Sequence, residues 1–380
     1  MADEKRRLKV WMMETGGWGG IHYYAHALCN ALEDCSVDLA MLTTEAQYEL
    51  EDWPHPFKRI RFFRRENYLL SMFRFIRLLL RQRPDILHIQ TLLAPRKDAV
   101  LLLICRLFKV QVVITVHNIL PHEVRRFEPW IFAHYYRSAA ALILHSELNR
   151  SQLLEWLPSI EAEKTHVVAH GNYEGFRKLE LDRSAARAHL GLPEDGQIAL
   201  FFGAIRPYKG LDLLLQTINP VKDACPEAIF VVAGIISPEL EAMYKAQIAA
   251  LGIGNEALIA RFGYLSTEDA IAYVCAADLV VLPYREIYQS GVLFWAYSFG
   301  RGVLATRTGS FPEAVEEDKS GWLVEVESVE ALERTLSRVL KDPAKLAEVG
   351  EYARKLASTN YNWGGIARKT VQVYEEYGKL

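Results

Sequence analysis

Phe201-Phe202-Gly203-Ala204-Ile205-Arg206-Pro207-Tyr208-Lys209-Gly210-Leu211 joins an apolar run starting at Ile198 to an amphipathic one with apolar positions at Leu211, Leu214, Leu215 and Ile218. The first run reads as a strand buried on both faces, the second as a helix with one face on a core. Between them the chain breaks at Gly203 and passes two cations, Arg206 and Lys209. A turn from strand into helix aims backbone N–H groups and the positive end of the helix dipole at whatever lies above the sheet. With both cations present, that spot suits a diphosphate. The G-x-x-x-x-G-K-[ST] order of a Walker loop is absent, so the expected diphosphate is not that of a nucleoside triphosphate being hydrolysed.

Outward from this turn, short apolar runs alternate with longer amphipathic ones, the pattern of parallel α/β sheets. Candidate strands in the first half are 8–13, 37–42, 86–89, 112–116, 141–144 and 166–169, with helices over 21–32, 68–81, 99–107, 130–138 and 146–157. The alternation restarts with strands at 198–202, 229–233, 259–262, 279–282, 302–306 and 321–324, and helices over 238–251, 267–276 and 290–299. A polar stretch, 171–184, reads as the linker, and a last helix over 363–377 follows the final strand. At 380 residues two cores are expected. The division is a first domain over 1–178, a second over 184–362, and the closing helix over 363–380. Doubly wound sheets place ligands at the carboxyl ends of their strands, so motifs there are the ones to weigh.

Composition is that of a soluble globular chain, 51% apolar and 24% charged. The net charge of −3 hides an asymmetry: residues 51–150 carry 17 Lys and Arg against 8 Asp and Glu, leaving −12 elsewhere. Five cysteines without a C-x-x-C pair argue against a disulfide framework or zinc site and fit a reducing compartment. The N-terminus runs straight into a strand pattern, and no window has the uncharged apolar length of a membrane span. The expected location is the cytoplasm, at most peripheral on the inner face of the cell membrane.

Glu14-Thr15-Gly16-Gly17-Trp18-Gly19-Gly20 follows the first strand, and its four glycines allow close approach by a ligand, though a flexible turn is the simpler reading. Thr115-Val116-His117-Asn118 ends another strand and aims His117 at the ligand side, where an imidazole can bond a sugar hydroxyl or serve structure alone. Asn118 and His122 are the acceptor-side candidates. Pro121 breaks any helix there, and the spacing of His117, His122 and Glu123 is not H-E-x-x-H, so no metal is expected. Gln289-Ser290-Gly291-Val292 reads as a helix start with Ser290 as N-cap, a second anion-ready turn. Gly309-Ser310-Phe311-Pro312-Glu313 is a further turn walling the same site. From Phe57 to Arg83 nine cations face Glu66 alone. Leu69, Met72, Phe73, Ile76 and Leu80 are read there as the apolar face of a helix. That face either packs on its own domain or meets anionic lipid. Nucleic acid is not expected, for want of a recognition motif.

This ordered set resembles the GT-B glycosyltransferases of family 4 over nearly the whole chain. Its further parts are His170-Gly171-Asn172-Tyr173, Val232-Ala233-Gly234 and Ala277-Asp278-Leu279. The resemblance implies two facing Rossmann-like domains, with the last helix crossing back to the N-terminal one. It implies hexosyl transfer from a nucleoside-diphosphate sugar, with no cofactor. Arg206 and Lys209 would hold the donor diphosphate and His117 would contact the donor sugar. Gly263 and Tyr264 would line the base pocket, and Gly17, Gly19, Gly20, Gly203 and the Gln289–Val292 turn would complete the donor site. One departure stands out. The family usually carries two glutamates eight positions apart, and alignment on Ala296 puts Ile287 and Trp295 there. Glu286, one residue out of register, is a catalytic candidate on that basis alone. The chain looks like a variant without the pair.

The expected reaction moves a sugar from a UDP- or GDP-sugar to a hydroxyl of a lipid-linked or glycan acceptor, with retention and without a metal, in envelope polysaccharide or glycolipid synthesis. Two other classes stay open. A nucleotide-sugar epimerase of similar fold would consume donor without acceptor, and a non-catalytic glycosyltransferase-like subunit would fit the missing glutamates. A glycosidase would need two carboxylates flanking the bond, and the turns offer Gly, Arg and Lys instead.

Overall fold

The computed structural model describes residues 7–45, 49–51, 53–64, 66–90, 98–121, 128–176 and 181–378. The chain divides into two compact units, Met1–Gly171 with Tyr361–Leu380, and Asn172–Asn360.

In the first unit the order is β1 Leu8–Met13, α1 Gly19–Glu33, β2 Val37–Thr44, β3 Lys58–Phe63, α2 Tyr68–Gln82 and β4 Ile86–Ile89. It continues with α3 Ala99–Leu107, β5 Gln111–Thr115, α4 Glu128–Ser138, β6 Ala141–Leu144, α5 Glu147–Trp156 and β7 Thr165–Val167. The second unit runs α6 Arg183–Leu190, β8 Gln197–Phe202, α7 Leu211–Ala224, β9 Ala228–Gly234, α8 Pro238–Ala250, β10 Leu258–Phe262 and α9 Thr267–Ala276. Then come β11 Leu279–Leu282, α10 Gly291–Ser298, β12 Gly302–Thr306, α11 Phe311–Ala314, β13 Gly321–Val324, α12 Val329–Val339 and α13 Pro343–Thr359. The closing helix, α14 Trp363–Tyr377, belongs to the first unit and packs on α1.

Both sheets are parallel throughout, in the orders β3-β2-β1-β4-β5-β6-β7 and β10-β9-β8-β11-β12-β13. Each reverses direction beside its first strand, at β1/β4 and at β8/β11. A doubly wound sheet opens its ligand crevice at that point, beyond the carboxyl ends. In the second unit the turns there are 203–210 and 283–290, those carrying the cations and the Gln-Ser-Gly-Val start. The α/β class and the GT-B element order therefore stand as expected.

Backbone meets backbone at this switch point. A Cβ on Gly234 would lie 1.8 Å from the Gly203 carbonyl oxygen, and one on Gly210 would lie 2.0 Å from that of Pro283. Gly210 also has φ +70°, which side chains rarely adopt. In the first unit Gly171 makes room for a side chain: a Cβ there would meet the Trp363 indole at 2.3 Å.

Two readings of the sequence change. Helix α2 does not use the expected face. Tyr68, Ser71, Met72, Phe75 and Leu79 are buried, while Leu69, Phe73 and Leu80 are exposed and Ile76 half-buried. The leucine and phenylalanine positions make two stripes at helical spacing, and only the sheet decides between them. The basic stretch also contains a strand, β3, and among the described residues four of its arginines pair with carboxylates. Arg59 and Arg61 pair with Glu51, and Arg64 and Arg74 with Glu45. On α14 the buried tyrosine is Tyr374, with Tyr377 half-buried against His166.

Gly210→Ala should cost the second unit about 3 kcal/mol or more in urea denaturation. Gly175→Ala, where a Cβ meets nothing within 4 Å, should stay within about 0.5 kcal/mol. Equal effects of the two would contradict the close-approach account.

Candidate functional site

Strand β8 ends in the cation-bearing turn, and Arg285 holds that turn from β11. The Arg285 backbone N–H donates to the Tyr208 carbonyl (2.7 Å), and its guanidinium donates to the Pro207 carbonyl (3.0 Å). The same guanidinium grips both oxygens of Asp212 at 2.9 and 2.6 Å, and its Nε reaches Glu327 at 2.7 Å. The fork geometry fixes one orientation, which a lysine would not do. Hydrogen bonding to Asp212 raises the Arg285 pKa further above its ordinary value.

Lys209 is thereby carried inward. It is buried, its Nζ stands 5.3 Å from the centre of the Tyr284 ring, and among the described residues no carboxylate is paired with it. Burial first, and the charge of Arg206 second, push its pKa down to about 8. Arg206 itself is exposed. Gly203 lies against both Lys209 and α10: a Cβ on it would be 3.5 Å from Lys209 Nζ and 3.4 Å from a Val292 methyl. Such a buried ammonium, with a second cation at its door, calls for an anion from outside.

The Gln289–Val292 turn starts α10 at Gly291, but the Ser290 side chain makes no capping bond. Gln289 accepts a hydrogen bond from the Ser310 hydroxyl, which ties the 309–313 turn to the 289–292 turn. The Gly263 N–H donates to the Gly234 carbonyl (2.9 Å), space is open where its side chain would be, and Tyr264 is 69% exposed beside it. Glu286 is exposed. Trp295 packs among aromatic rings. It is buried in a stack between Tyr173 (4.8 Å) and Phe299 (5.6 Å).

In the first unit the glycine loop closes on its own carboxylates. Buried Glu14 accepts from the N–H groups of Gly16 (2.6 Å) and Gly17 (3.1 Å), and bonds His22 at 2.7 Å. Glu49 accepts from Gly19 (3.0 Å), and Gly20 enters α1 with open space beside it. The amides of Gly17 and Gly19, expected to meet a ligand, are therefore already engaged.

His117 lies in a chain of buried polar groups. Val168 O accepts from His145 Nδ1 (3.0 Å), and His145 Nε2 lies 3.2 Å from His117 Nδ1. His117 Nε2 is 2.9 Å from Gln90 Oε1, and the chain continues from Gln90 to Thr115, His88 and the Tyr374 hydroxyl. A sugar hydroxyl seeking His117 would have to displace Gln90. Burial, and then neighbouring imidazoles, hold His117 well below the ordinary histidine value, so the ring is neutral. His117 and Asn118 line a cavity of about 260 Å³ with Gln90, Ile21, Phe132 and Tyr136. His122 lies outside the described residues.

Arg285, Asp212, Gln90 and Glu14 escaped the sequence reading. Gln90 had one signal, its place just after β4 at the switch point. Arg285 and Asp212 are 73 residues apart, and nothing in spacing links them.

Residues 18–171 match the family described as Glycosyltransferase Family 4, and residues 182–356 that described as Glycosyl transferases group 1. The chain belongs to the family 4 glycosyltransferases of GT-B type. It is 31% identical over 253 residues to D-inositol 3-phosphate glycosyltransferase of Streptomyces avermitilis, covering 64% of this chain and 51% of that protein. It is 29% identical over 227 residues to GDP-mannose:glycolipid 4-beta-D-mannosyltransferase of Xanthomonas campestris, covering 59% and 58%. The chain thus spans about half the length of the curated relatives it matches. Sucrose-phosphate synthase of Thermosynechococcus elongatus shares the fold with a TM-score of 0.79 at 19% identity, over 97% of this chain and 99% of that one. So does Anabaena HepE, solved with UDP and glucose, with a TM-score of 0.79 at 18% identity, over 97% and 100%.

Burial also lowers His88 and His170 to about 3 and His145 to about 4. Unfolded, each titrates near 6.5, so between those values the unfolded chain binds more protons and stability rises with pH. The first unit should hold full stability above about pH 7 and lose up to about 1.4 kcal/mol per pH unit for each histidine as pH falls from 6.5 toward 4. Urea titrations at pH 7.5 and 5 giving equal midpoints would contradict the buried neutral cluster.

Proposed function

We propose that this protein transfers a sugar from a nucleoside-diphosphate sugar to an acceptor hydroxyl, with retention at the anomeric carbon. The observation that carries the reading is Lys209, a buried ammonium paired with no carboxylate among the described residues, beside Arg206 and the start of α10. In the reaction the bond from the anomeric carbon to the diphosphate oxygen breaks and its electron pair leaves with the diphosphate. The acceptor oxygen bonds the anomeric carbon, and its proton passes to the departing phosphate. Charge grows on the leaving group as the sugar becomes oxocarbenium-like. Lys209, Arg206 and the amides at Gly291 and Val292 would meet that charge where it develops, the work a divalent metal does in other transferases.

The donor proposed is a UDP- or GDP-sugar, in keeping with a relative named for GDP-mannose and a structural neighbour solved with UDP-glucose. Gly263 and Tyr264 would take the base. Trp295 supplies no carboxylate for the ribose, so we assign ribose recognition to other groups around the 283–292 turn. Glu286, exposed on that turn, is a candidate for the sugar end. The acceptor proposed is a lipid-linked or glycan hydroxyl in envelope polysaccharide or glycolipid assembly. Asn118 and the cavity beside His117 would lie on the acceptor side, and Gln90 would hold the imidazole neutral and oriented.

With UDP- and GDP-sugars and a panel of glycolipid acceptors, Lys209→Ala and Arg206→Ala should each lower turnover about 10²–10³-fold, the loss of about 2.7–4 kcal/mol expected for one leaving-group donor. Undiminished turnover in both would overturn the clamp. Donor consumption without acceptor would favour epimerisation, and no thermal shift with any nucleotide would favour a non-catalytic subunit.

A further inference from the structure

Helices α2 and α3 lie on one side of the first sheet, as right-handed β3–α2–β4 and β4–α3–β5 crossovers require. They run side by side, tied near their starts by the Tyr68 hydroxyl on Asp98 (3.3 Å) and at their ends by Arg83 on the Phe108 carbonyl (3.4 Å). Both present large apolar side chains outward. Leu69, Phe73 and Leu80 of α2 are 82%, 63% and 72% exposed, and Leu103 and Leu107 of α3 are 56% and 71% exposed. Neither helix contains a carboxylate. Arg77 and Arg81 on α2 and Arg106 on α3 have no acidic partner among the described residues.

The surface continues into a groove of about 820 Å³ between α3 and α4. Arg106, Lys109, His134, Arg137 and Lys164 line it with no carboxylate among the lining residues. Trp130, 81% exposed, sits one turn before His134 on α4. Lys164 pairs with Glu161, and Arg137 donates to the Ser159 hydroxyl, which leaves Arg106 and Lys109 as the groove's uncommitted cations among the described residues.

We propose that this face seats on an anionic phospholipid bilayer, with the Leu and Phe side chains entering the acyl boundary and the cations on the lipid phosphates. A bilayer offers both chemistries at the depths required: apolar tips in front, cations behind, and an exposed tryptophan at headgroup level. A second copy of the chain fits poorly, because a two-fold contact would set Arg77, Arg81 and Arg106 against themselves with no carboxylate between. Nucleic acid would meet the cations but leave the apolar rows in water. The inference rests on this surface alone and stands apart from the donor-site reading.

The test is co-sedimentation of the full chain with phosphatidylcholine vesicles, with and without phosphatidylglycerol, at low and high salt. Binding should need phosphatidylglycerol and weaken with salt. Arg77→Gln and Arg106→Gln should each lower partitioning about five-fold. The double change Phe73→Ser, Leu103→Ser, at exposed positions that leave the core intact, should lower it about ten-fold or more. UDP binding by all three variants should be unchanged, so a failure here leaves the donor site standing. No binding at low salt, or equal binding by the variants, overturns the proposal. So does a dimer in light scattering that the double change dissolves.

Discussion

Main chain pressed on main chain at the carboxyl end of the second sheet is the constraint from which the candidate site follows. The Gly203 carbonyl occupies the place a side chain of Gly234 would need, and the Pro283 carbonyl does the same beneath Gly210. Three neighbouring turns, after β8, β9 and β11, are thus locked without side chains between them. The 206–209 segment runs between these contacts, with Lys209 buried and Arg206 exposed to solvent.

Burying Lys209 is unfavourable by itself, since desolvation penalises its charge and Arg206 adds like-charge repulsion. The fold sustains this through a clamp placed elsewhere: Arg285 satisfies its whole fork on Asp212, Glu327 and the Pro207 carbonyl, and pins the turn that carries Lys209. The first unit shows the opposite arrangement. Its glycine loop spends amides on Glu14 and Glu49, and His117 and His145 meet each other.

What was legible follows from the range of the interactions involved. Parallel strands buried on both faces leave uninterrupted apolar runs, so β11, β12 and β13 appear in the sequence at their structural bounds. Strand β3, with Lys58, Arg59 and Arg61 on a sheet edge, has no such run and reads as a charge cluster. Helices α6, α12 and α13 were not drawn from the sequence, although the amphipathic pattern of Val329–Val339 was there to find. The face of α2 was ambiguous because two apolar stripes compete, and the sheet resolves them. In the site, Gly203, Arg206 and Lys209 were readable because one turn holds them all. Arg285 with Asp212, and His88 with Tyr374 at a separation of 286 residues, depend on the fold to meet.

The central claim is that Lys209 waits, partly deprotonated, for a diphosphate. Binding an anion there must raise its pKa from about 8, so the protein must take up protons as the nucleotide binds. Calorimetric titration of UDP and GDP at pH 8 in buffers of differing ionisation enthalpy reads that uptake directly. The account predicts about half a proton per bound nucleotide, absent in Lys209→Met. Tight binding of either nucleotide with no proton uptake would contradict it.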